Sequence, residues 1–345
     1  MSDVDVCHLN LAKNYRGGER QTEILIRALA EHGYVQRLVV KRGSSLKERC
    51  ADIPALDVRE VASNPLAAGL AARGAALAHA HEGRSIYAGW IANLLFGTPY
   101  VITRRVVSAQ KNRSMRGLAY RRAAHVIGVS HAAVESLNQS LDSQKVSVIP
   151  DAHSAFVSDP DAVATIRARY PGKILIGNIA AMVHAHKGQS TIIDVARRVA
   201  GTHPDWHFLL CGDGVDEQRF RDEIGDLRNI ELVGWIENVG DYLASFDLFL
   251  YPSLHEALGS TLLDAMYFGL PIVASDVGGI PDVVEKGVNG ELVAPEDPDA
   301  LFAAIEALLG DKQRLRLLRE NNVETAKSFN IEGMANAYRS IYKAL

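Results

Sequence analysis

The sequence predicts an α/β protein of two domains, each built on a parallel sheet. Three observations carry this. The chain has 345 residues, whereas single domains run to roughly 100–200. Short apolar runs of strand length alternate with longer amphipathic stretches from end to end, the rhythm of parallel strands joined by crossover helices. That rhythm restarts after Ile149-Pro150, across the polar stretch Asp151–Asp161, which serves as a linker.

The elements follow in order. Val4–Leu11 reads as a strand, and Glu19–His32 as a helix with Ile24, Leu25 and Leu29 at helical spacing and Gly33 as its stop. Arg37–Lys41, Ala76–His81, Tyr100–Thr103, His125–Val129 and Val146–Ile149 continue the strands of the first half. In the second half Lys173–Ile179, His207–Cys211, Ile230–Val233, Leu248–Tyr251 and Pro271–Ala274 are strands, with a helix over about Gln189–Gly201. The last segment has Met334, Tyr338, Ile341 and Tyr342 on one helical face, suited to packing on its own domain or back onto the first. The expected division is residues 1–155, residues 156–329 and a C-terminal helix over 330–345.

Composition narrows the class. Hydrophobic residues make up 48% and charged residues 23%, ordinary for a globular protein. Three cysteines, Cys7, Cys50 and Cys211, form no CxxC pair, which excludes a disulfide framework or a cysteine zinc site. Two acids precede the first apolar run, unlike a secretory signal, and no apolar stretch reaches the roughly 18 residues of a membrane span. The expected location is cytoplasmic. Residues 1–150 hold 20 Lys+Arg against 12 Asp+Glu, and residues 151–345 hold 17 against 29. A basic half beside an acidic half implies different partners for the two.

In open parallel sheets, ligands bind at the carboxyl ends of strands and at helix N-termini. After the first strand comes Asn14-Tyr15-Arg16-Gly17-Gly18-Glu19, whose paired glycines allow close backbone approach; a tight turn reads equally well. After the third comes His79-Ala80-His81. Two histidines two apart share a strand face, but no Cys or further His near them in sequence completes a metal set. After Asn178, a loop ends in His184-Ala185-His186-Lys187-Gly188, where a lysine at a helix start suits a diphosphate.

The stretch from Tyr251 to Met266 is the most informative. A strand ends, Glu256 lies in the loop, and Leu258, Gly259, Ser260 and Thr261 open a helix with amides able to hold a phosphate. Asp264 lies about one turn further on, suited to a ribose diol. The Asp-x-Asp strings at residues 3–5, 159–161 and 297–299 read as turns and a terminus, so no metal and no cofactor is expected.

These stretches resemble glycosyltransferase family 4, the glycosyl transferases group 1. The resemblance lies in Glu256-x7-Asp264 followed by AMYFGLPIVASDVGGIPDVVEKGVNGELV, in CGDG at 211–214, and in LVGWIENVGDYLASFDLFLYPS at 232–253. It extends to RGGER at 16–20, HAH at 79–81 and VIGVSHAAVESL at 126–137, and covers nearly the whole chain. It implies the GT-B fold, two Rossmann-like domains with parallel sheets facing a central cleft. It also implies metal-independent transfer of a sugar from a nucleotide-sugar donor with retention of configuration. By resemblance, Glu256 contacts the donor sugar, Lys187 the diphosphate, Asp264 the ribose, and Trp235-Ile236 the base. Asn178 and Gly212 belong to the same donor set, His81 sits near the transferred sugar, and Gly17-Gly18 close over it. Two departures stand out: Asp264 where the family usually has Glu, and no arginine just before Lys187, so that either Asn178, His184 or His186 substitutes or Lys187 acts alone.

Residues 104–122 carry seven basic side chains, among them Arg104, Arg105, Lys111, Arg113 and Arg116. They suit an anionic membrane face or a phosphorylated glycolipid, and lack the aromatics of a nucleic-acid platform. The expected partners are thus a nucleotide-sugar donor and a glycan or glycolipid acceptor, such as a lipopolysaccharide core, with peripheral membrane contact and no nucleic acid. Rival readings are a sugar-nucleotide epimerase of the same fold and a non-catalytic nucleotide-sugar-binding protein. A nicotinamide dehydrogenase is disfavoured by the absent GxGxxG.

Overall fold

The computed structural model describes residues 4–109, 114–137 and 141–345. It divides into two compact units, Met1–Ala152 with Asn330–Leu345, and His153–Phe329.

The first unit holds seven strands: β1 (Val4–Asn10), β2 (Gln36–Lys41), β3 (Asp57–Val61), β4 (Ala75–Ala80), β5 (Tyr100–Arg104), β6 (His125–Gly128) and β7 (Val146–Val148). Their order is β3-β2-β1-β4-β5-β6-β7, and every pairing is parallel. Central strands of such a sheet are covered on both faces, so they read as near-continuous apolar runs. The β3 sequence DVREV carries no such run because it lies at the edge, half exposed, and sequence periodicity missed it. The C-terminal helix Ile331–Lys343 belongs to this unit. Its Met334 and Tyr338 are buried with Val6, Leu25, Leu29, Leu77, Val101 and Ile127. Burying each such side chain contributes roughly 1.5–3 kcal/mol.

The second unit holds β8 (Ile174–Ile179), β9 (Trp206–Cys211), β10 (Ile230–Gly234), β11 (Leu248–Tyr251), β12 (Ile272–Ser275) and β13 (Glu291–Val293). The order is β10-β9-β8-β11-β12-β13, again all parallel. The three-residue edge strand β13 also escaped the sequence. Both sheets are α/β and Rossmann-like. Each reverses its strand order once, at β1/β4 in the first unit and at β8/β11 in the second. A crevice outside the strand ends opens at that switch point.

The linker stretch is bonded at both ends. In the first unit Gln21 clamps Ala152, its Nε2 donating to the Ala152 carbonyl at 2.7 Å and its Oε1 accepting from the Ala152 amide at 3.1 Å. In the second, the His153 amide donates to the Phe329 carbonyl at 2.9 Å. Among the described residues, no helix is long and apolar enough to cross a membrane.

Candidate functional site

In the second unit, the loops after β8 and β11 flank the switch point, and each delivers one charged side chain. The β8 loop ends in a one-turn helix, His184–Lys187, and the helix Gln189–Val199 follows directly. Lys187 therefore closes the short helix rather than opening the long one. Gly188 turns between them at φ 65°, and a Cβ there would lie 1.9 Å from the Pro252 carbonyl. Only glycine lets the two loops approach this closely. Beyond β11, the backbone of Glu256 packs against Gly278, where a Cβ would lie 1.9 Å from the Glu256 carbonyl.

These approaches bring Lys187 and Glu256 together. Lys187 Nζ donates to Glu256 Oε2 at 2.5 Å, and the Tyr251 hydroxyl donates to the same oxygen at 2.8 Å. The pair is largely buried, with side-chain exposures of 21% and 14%. Burial works against the Lys187 charge, but Tyr251 and Glu256 outweigh it and hold its pKa above the ordinary lysine value. Burial and the Glu256 carboxylate push the Tyr251 phenol up, so it stays a donor. The result is a cationic ammonium held ready by a carboxylate. Three residues after Glu256, Gly259 caps the helix Ser260–Tyr267, and that cap has no side-chain partner for the first-turn amides. A charged lysine and a helix N-terminus at one switch point are two features that favour an anion.

The other donor-set residues fall as follows. Trp235 is 57% exposed directly after β10, while Ile236 is buried beside it in sequence. Leu258 is buried, and Ser260 and Thr261 are half-buried. The Gly212 amide donates to the Gly234 carbonyl at 2.7 Å, which ties the ends of β9 and β10. Asp264 is buried and accepts from the Ser154 amide at 2.6 Å and the Ser154 hydroxyl at 3.3 Å. A ribose diol would have to share those same two oxygens.

Asn178 does not fill the place of the missing arginine. Its Nδ2 donates to the Leu250 carbonyl at 2.8 Å, strapping β8 to β11. The remaining amide atom, Oδ1, is buried without a partner, and an acceptor oxygen repels a phosphate. His184 is bonded through its amide to Asp216 at 2.8 Å and its ring to Ser190 at 3.2 Å. His186 is exposed, and its carbonyl accepts from Leu254.

In the first unit the Gly17-Gly18 pair is not a loop ahead of the helix but its first turn. The helix spans Gly17–Glu31, and Glu19 accepts from the Arg16 amide at 3.1 Å. First-turn amides have no intrahelical partner, so glycine weakens the helix less there than in its interior.

His79 and His81 share one side of β4, with ring centroids 3.8 Å apart. The expectation that no further histidine completes the group is corrected: parallel pairing sets His8 of β1 in register with His79. His8 Nδ1 lies 2.9 Å from His81 Nε2. Ligand atoms of all three rings lie within 4.8 Å of one another. Burial lowers all three pKa values, His8 to about 4 and the other two well below the ordinary value. Neutral imidazole is the form a metal takes. The rings, however, already bond one another and the protein: His8 with Gln36 at 3.0 Å, and His79 with Tyr342 at 2.6 Å and Thr103 at 2.7 Å. Only His81 Nδ1 is buried without a partner.

The basic segment is also corrected. Arg104 is 3% exposed and donates to Ser136 Oγ at 3.0 Å, the Tyr120 hydroxyl at 3.1 Å and the Ser108 carbonyl. Arg105 is 12% exposed and pairs with Asp151 at 3.1 Å. Burial opposes its charge, and Asp151 outweighs that. Arg104, the last residue of β5, and Arg105, just beyond it, are each turned to partners within the protein rather than to a surface. Lys111 and Arg113 lie outside the described residues, and Arg116 is exposed.

Sequence reasoning missed His8, Gln36 and Tyr251. Tyr251 was within reach, as the last residue of the strand feeding the Glu256 loop. His8 and Gln36 had no local signal, since only strand register brings them to His81.

Residues 173–311 match the family model described as glycosyl transferases group 1. The chain is 30% identical over 186 residues to the lipopolysaccharide core biosynthesis mannosyltransferase LpsB of Rhizobium meliloti, covering 51% of this chain and 53% of the relative. It is 28% identical over 236 residues to the 2-deoxystreptamine N-acetyl-D-glucosaminyltransferase of Niallia circulans, covering 63% and 60%. The chain thus spans about half the length of the curated relatives it matches. The structure of Anabaena HepE in complex with UDP-glucose has the same fold, at TM-score 0.89 and 20% identity, covering 99% of this chain and 100% of that one.

Proposed function

We propose that this chain, whose residues 173–311 match the glycosyl transferases group 1 model and which has two Rossmann-like α/β units as in the GT-B class, is a member of that family. From that premise we propose that it transfers a sugar from a nucleotide-sugar donor to a saccharide acceptor. The observation that carries the reading is the Lys187–Glu256–Tyr251 cluster at the β8/β11 switch point, with Glu256 on the loop that leads into the helix at Gly259.

The chemistry follows from charge. Breaking a glycosyl–phosphate bond leaves an oxocarbenium-like sugar and a diphosphate carrying new negative charge. Lys187 and the amides at the start of the Ser260–Tyr267 helix stabilise that charge where it develops. Donor binding loosens the Lys187–Glu256 pair: the ammonium turns to phosphate and the carboxylate accepts from sugar hydroxyls. The acceptor hydroxyl attacks the anomeric carbon as the glycosyl–phosphate bond breaks. Its proton passes to a leaving phosphate oxygen on the same face, so the configuration is retained without a protein base or a metal. Trp235 offers the base a stacking surface.

The relatives are named for lipopolysaccharide core biosynthesis and for 2-deoxystreptamine. A lipid-linked saccharide of the cell envelope, met at the inner membrane face, is the acceptor class we favour. With Arg104 buried and Arg105 largely so, Arg116 is the exposed member of that set among the described residues. Incubating the protein with nucleotide sugars and a truncated core saccharide, with and without EDTA, tests the reading. It expects a metal-independent glycosylated product with the donor's anomeric configuration. Donor turnover without an acceptor product would favour the epimerase, and binding without turnover a non-catalytic protein.

A further inference from the structure

One face of the first unit carries an exposed apolar patch inside a basic border. The helices Pro65–Ala71, Ser85–Phe96 and Met115–Arg122 join β3 to β4, β4 to β5 and β5 to β6. These crossovers all run one way along the sheet, so right-handed connections put the three helices on one face. Their Ala68, Ala72, Ala88, Ala92 and Ala119 share a core, while the helices Gly17–Glu31 and Ile331–Lys343 pack into a separate one.

The Ser85–Phe96 helix has no charged residue, a composition that suits burial all round. Its inner side, Ile86, Ala88 and Ala92, is buried, but Leu94, Leu95 and Phe96 are 57%, 52% and 36% exposed. Gly69 of the preceding helix meets it closely. A Cβ there would lie 2.7 Å from Ile91 Cγ2 and 2.9 Å from the Ala88 carbonyl. That approach sets Leu66 and Leu70, 55% and 49% exposed and one turn apart, beside the same surface. Arg73, three residues on, holds its guanidinium 6.0 Å from the centre of the Phe96 ring. The leucines of both helices and Phe96 thus form one patch.

The charge around it has one sign. Residues 62–122 contain nine Lys+Arg and a single acid, Glu82. Glu82 is engaged at the far end of the helix, where it accepts from the Arg84 and Ser85 amides at 2.7 and 2.8 Å. Arg73, Arg84, Arg116, Arg121 and Arg122 are exposed. Apolar side chains bordered by cations match the headgroup boundary of an anionic bilayer. A second copy fits worse, since a two-fold contact sets the same patch against itself, arginine facing arginine.

We propose that this face docks the protein on an anionic lipid bilayer, with Leu66, Leu70, Leu94, Leu95 and Phe96 entering the headgroup boundary and the arginines meeting lipid phosphates. It gives a surface to the membrane contact named above and is independent of the transfer chemistry.

Flotation of the full chain with vesicles of phosphatidylcholine, alone or mixed with phosphatidylglycerol, tests this. The protein should float with the anionic vesicles only, and release in about 0.5 M salt. Leu94→Ser combined with Leu95→Ser should lower the partition coefficient about tenfold, and Arg73→Gln combined with Arg122→Gln by a similar factor of about ten at low salt. Leu66→Ser with Leu70→Ser repeats the apolar test from the neighbouring helix, and melting curves confirm that each variant folds. Val215→Ser, at a residue 85% exposed in the second unit, should float like wild type. No flotation with anionic vesicles, or flotation that both serine pairs keep, overturns the proposal. So does a sedimenting dimer that the serine pairs dissolve in the absence of vesicle binding, which would assign the patch to a second copy. Flotation as predicted upholds the docking surface even where no nucleotide sugar is turned over, in which case only the transfer reading has failed.

Discussion

The two switch points are built from opposite electrostatics. At β1/β4 the first unit buries three uncharged imidazoles tied by directional hydrogen bonds. At β8/β11 the second unit buries an ammonium against a carboxylate and a phenol. The same topology thus presents neutral ring nitrogens at one switch point and a buried charge pair at the other. The difference comes from the strand ends. The imidazoles sit on or next to strands, where register assembles them. The charges sit on loops brought together by glycines.

The largest expected effect breaks the charged side. Lys187→Met removes the proposed diphosphate contact and leaves Glu256 buried without its cation. Transfer should fall about 10²–10³-fold, as when a preorganised donor is lost from a site of developing charge. Steady-state kinetics checks this, and a variant with wild-type kcat would remove Lys187 from the chemistry.

The next effect separates the units by pH. His8 has its pKa lowered to about 4 by burial, against an ordinary value near 6.5. The unfolded chain therefore binds more protons than the folded one between those values. Stability is retained above about pH 6.5 and falls as pH drops toward 4, by about 1.4 kcal/mol per unit for this group. His79 and His81, lowered in the same direction, steepen the fall. Lys187, shifted upward, contributes no change in that window. Melting curves from pH 7 to 4 should show the loss, with a shallower slope in His8→Asn; equal slopes would mean that His8 already charges in the folded state.

Gly188→Ala should come next, at about 1–3 kcal/mol, because the residue would keep a left-handed backbone and meet the Pro252 carbonyl. Chemical denaturation measures it. An unchanged midpoint would show that the two loops can separate freely. The smallest effect is Trp235→Ala, which should weaken nucleotide binding by about 1 kcal/mol through lost stacking with the melting temperature almost unmoved.

The fold was legible because central parallel strands are continuous apolar runs, and β1, β9 and β11 announce themselves. The edges β3 and β13 did not, since an edge strand needs no apolar face. In the second unit the site was legible too: Lys187, Glu256 and the Gly259 helix start all follow strand ends within one local stretch. The first unit was not. His79 and His81 were visible, but His8 lies 71 residues before His79 in sequence and reaches it only through the pairing of β1 with β4. Arg104 and Arg105 misled for the converse reason. A run of charge reads as surface, and only the structure shows Asp151, Ser136 and Tyr120 waiting for two of its members.

The most direct test of the central claim, that the Lys187–Glu256 pair is a nucleotide-sugar site, is a thermal-shift titration with UDP-, GDP- and ADP-sugars, with and without EDTA. A ligand that binds only the folded state raises the melting point by mass action. The account predicts a saturable rise with one nucleotide family, unaffected by EDTA and lost in Lys187→Met and Glu256→Ala. No rise with any of them, or a rise that both variants keep, would contradict it.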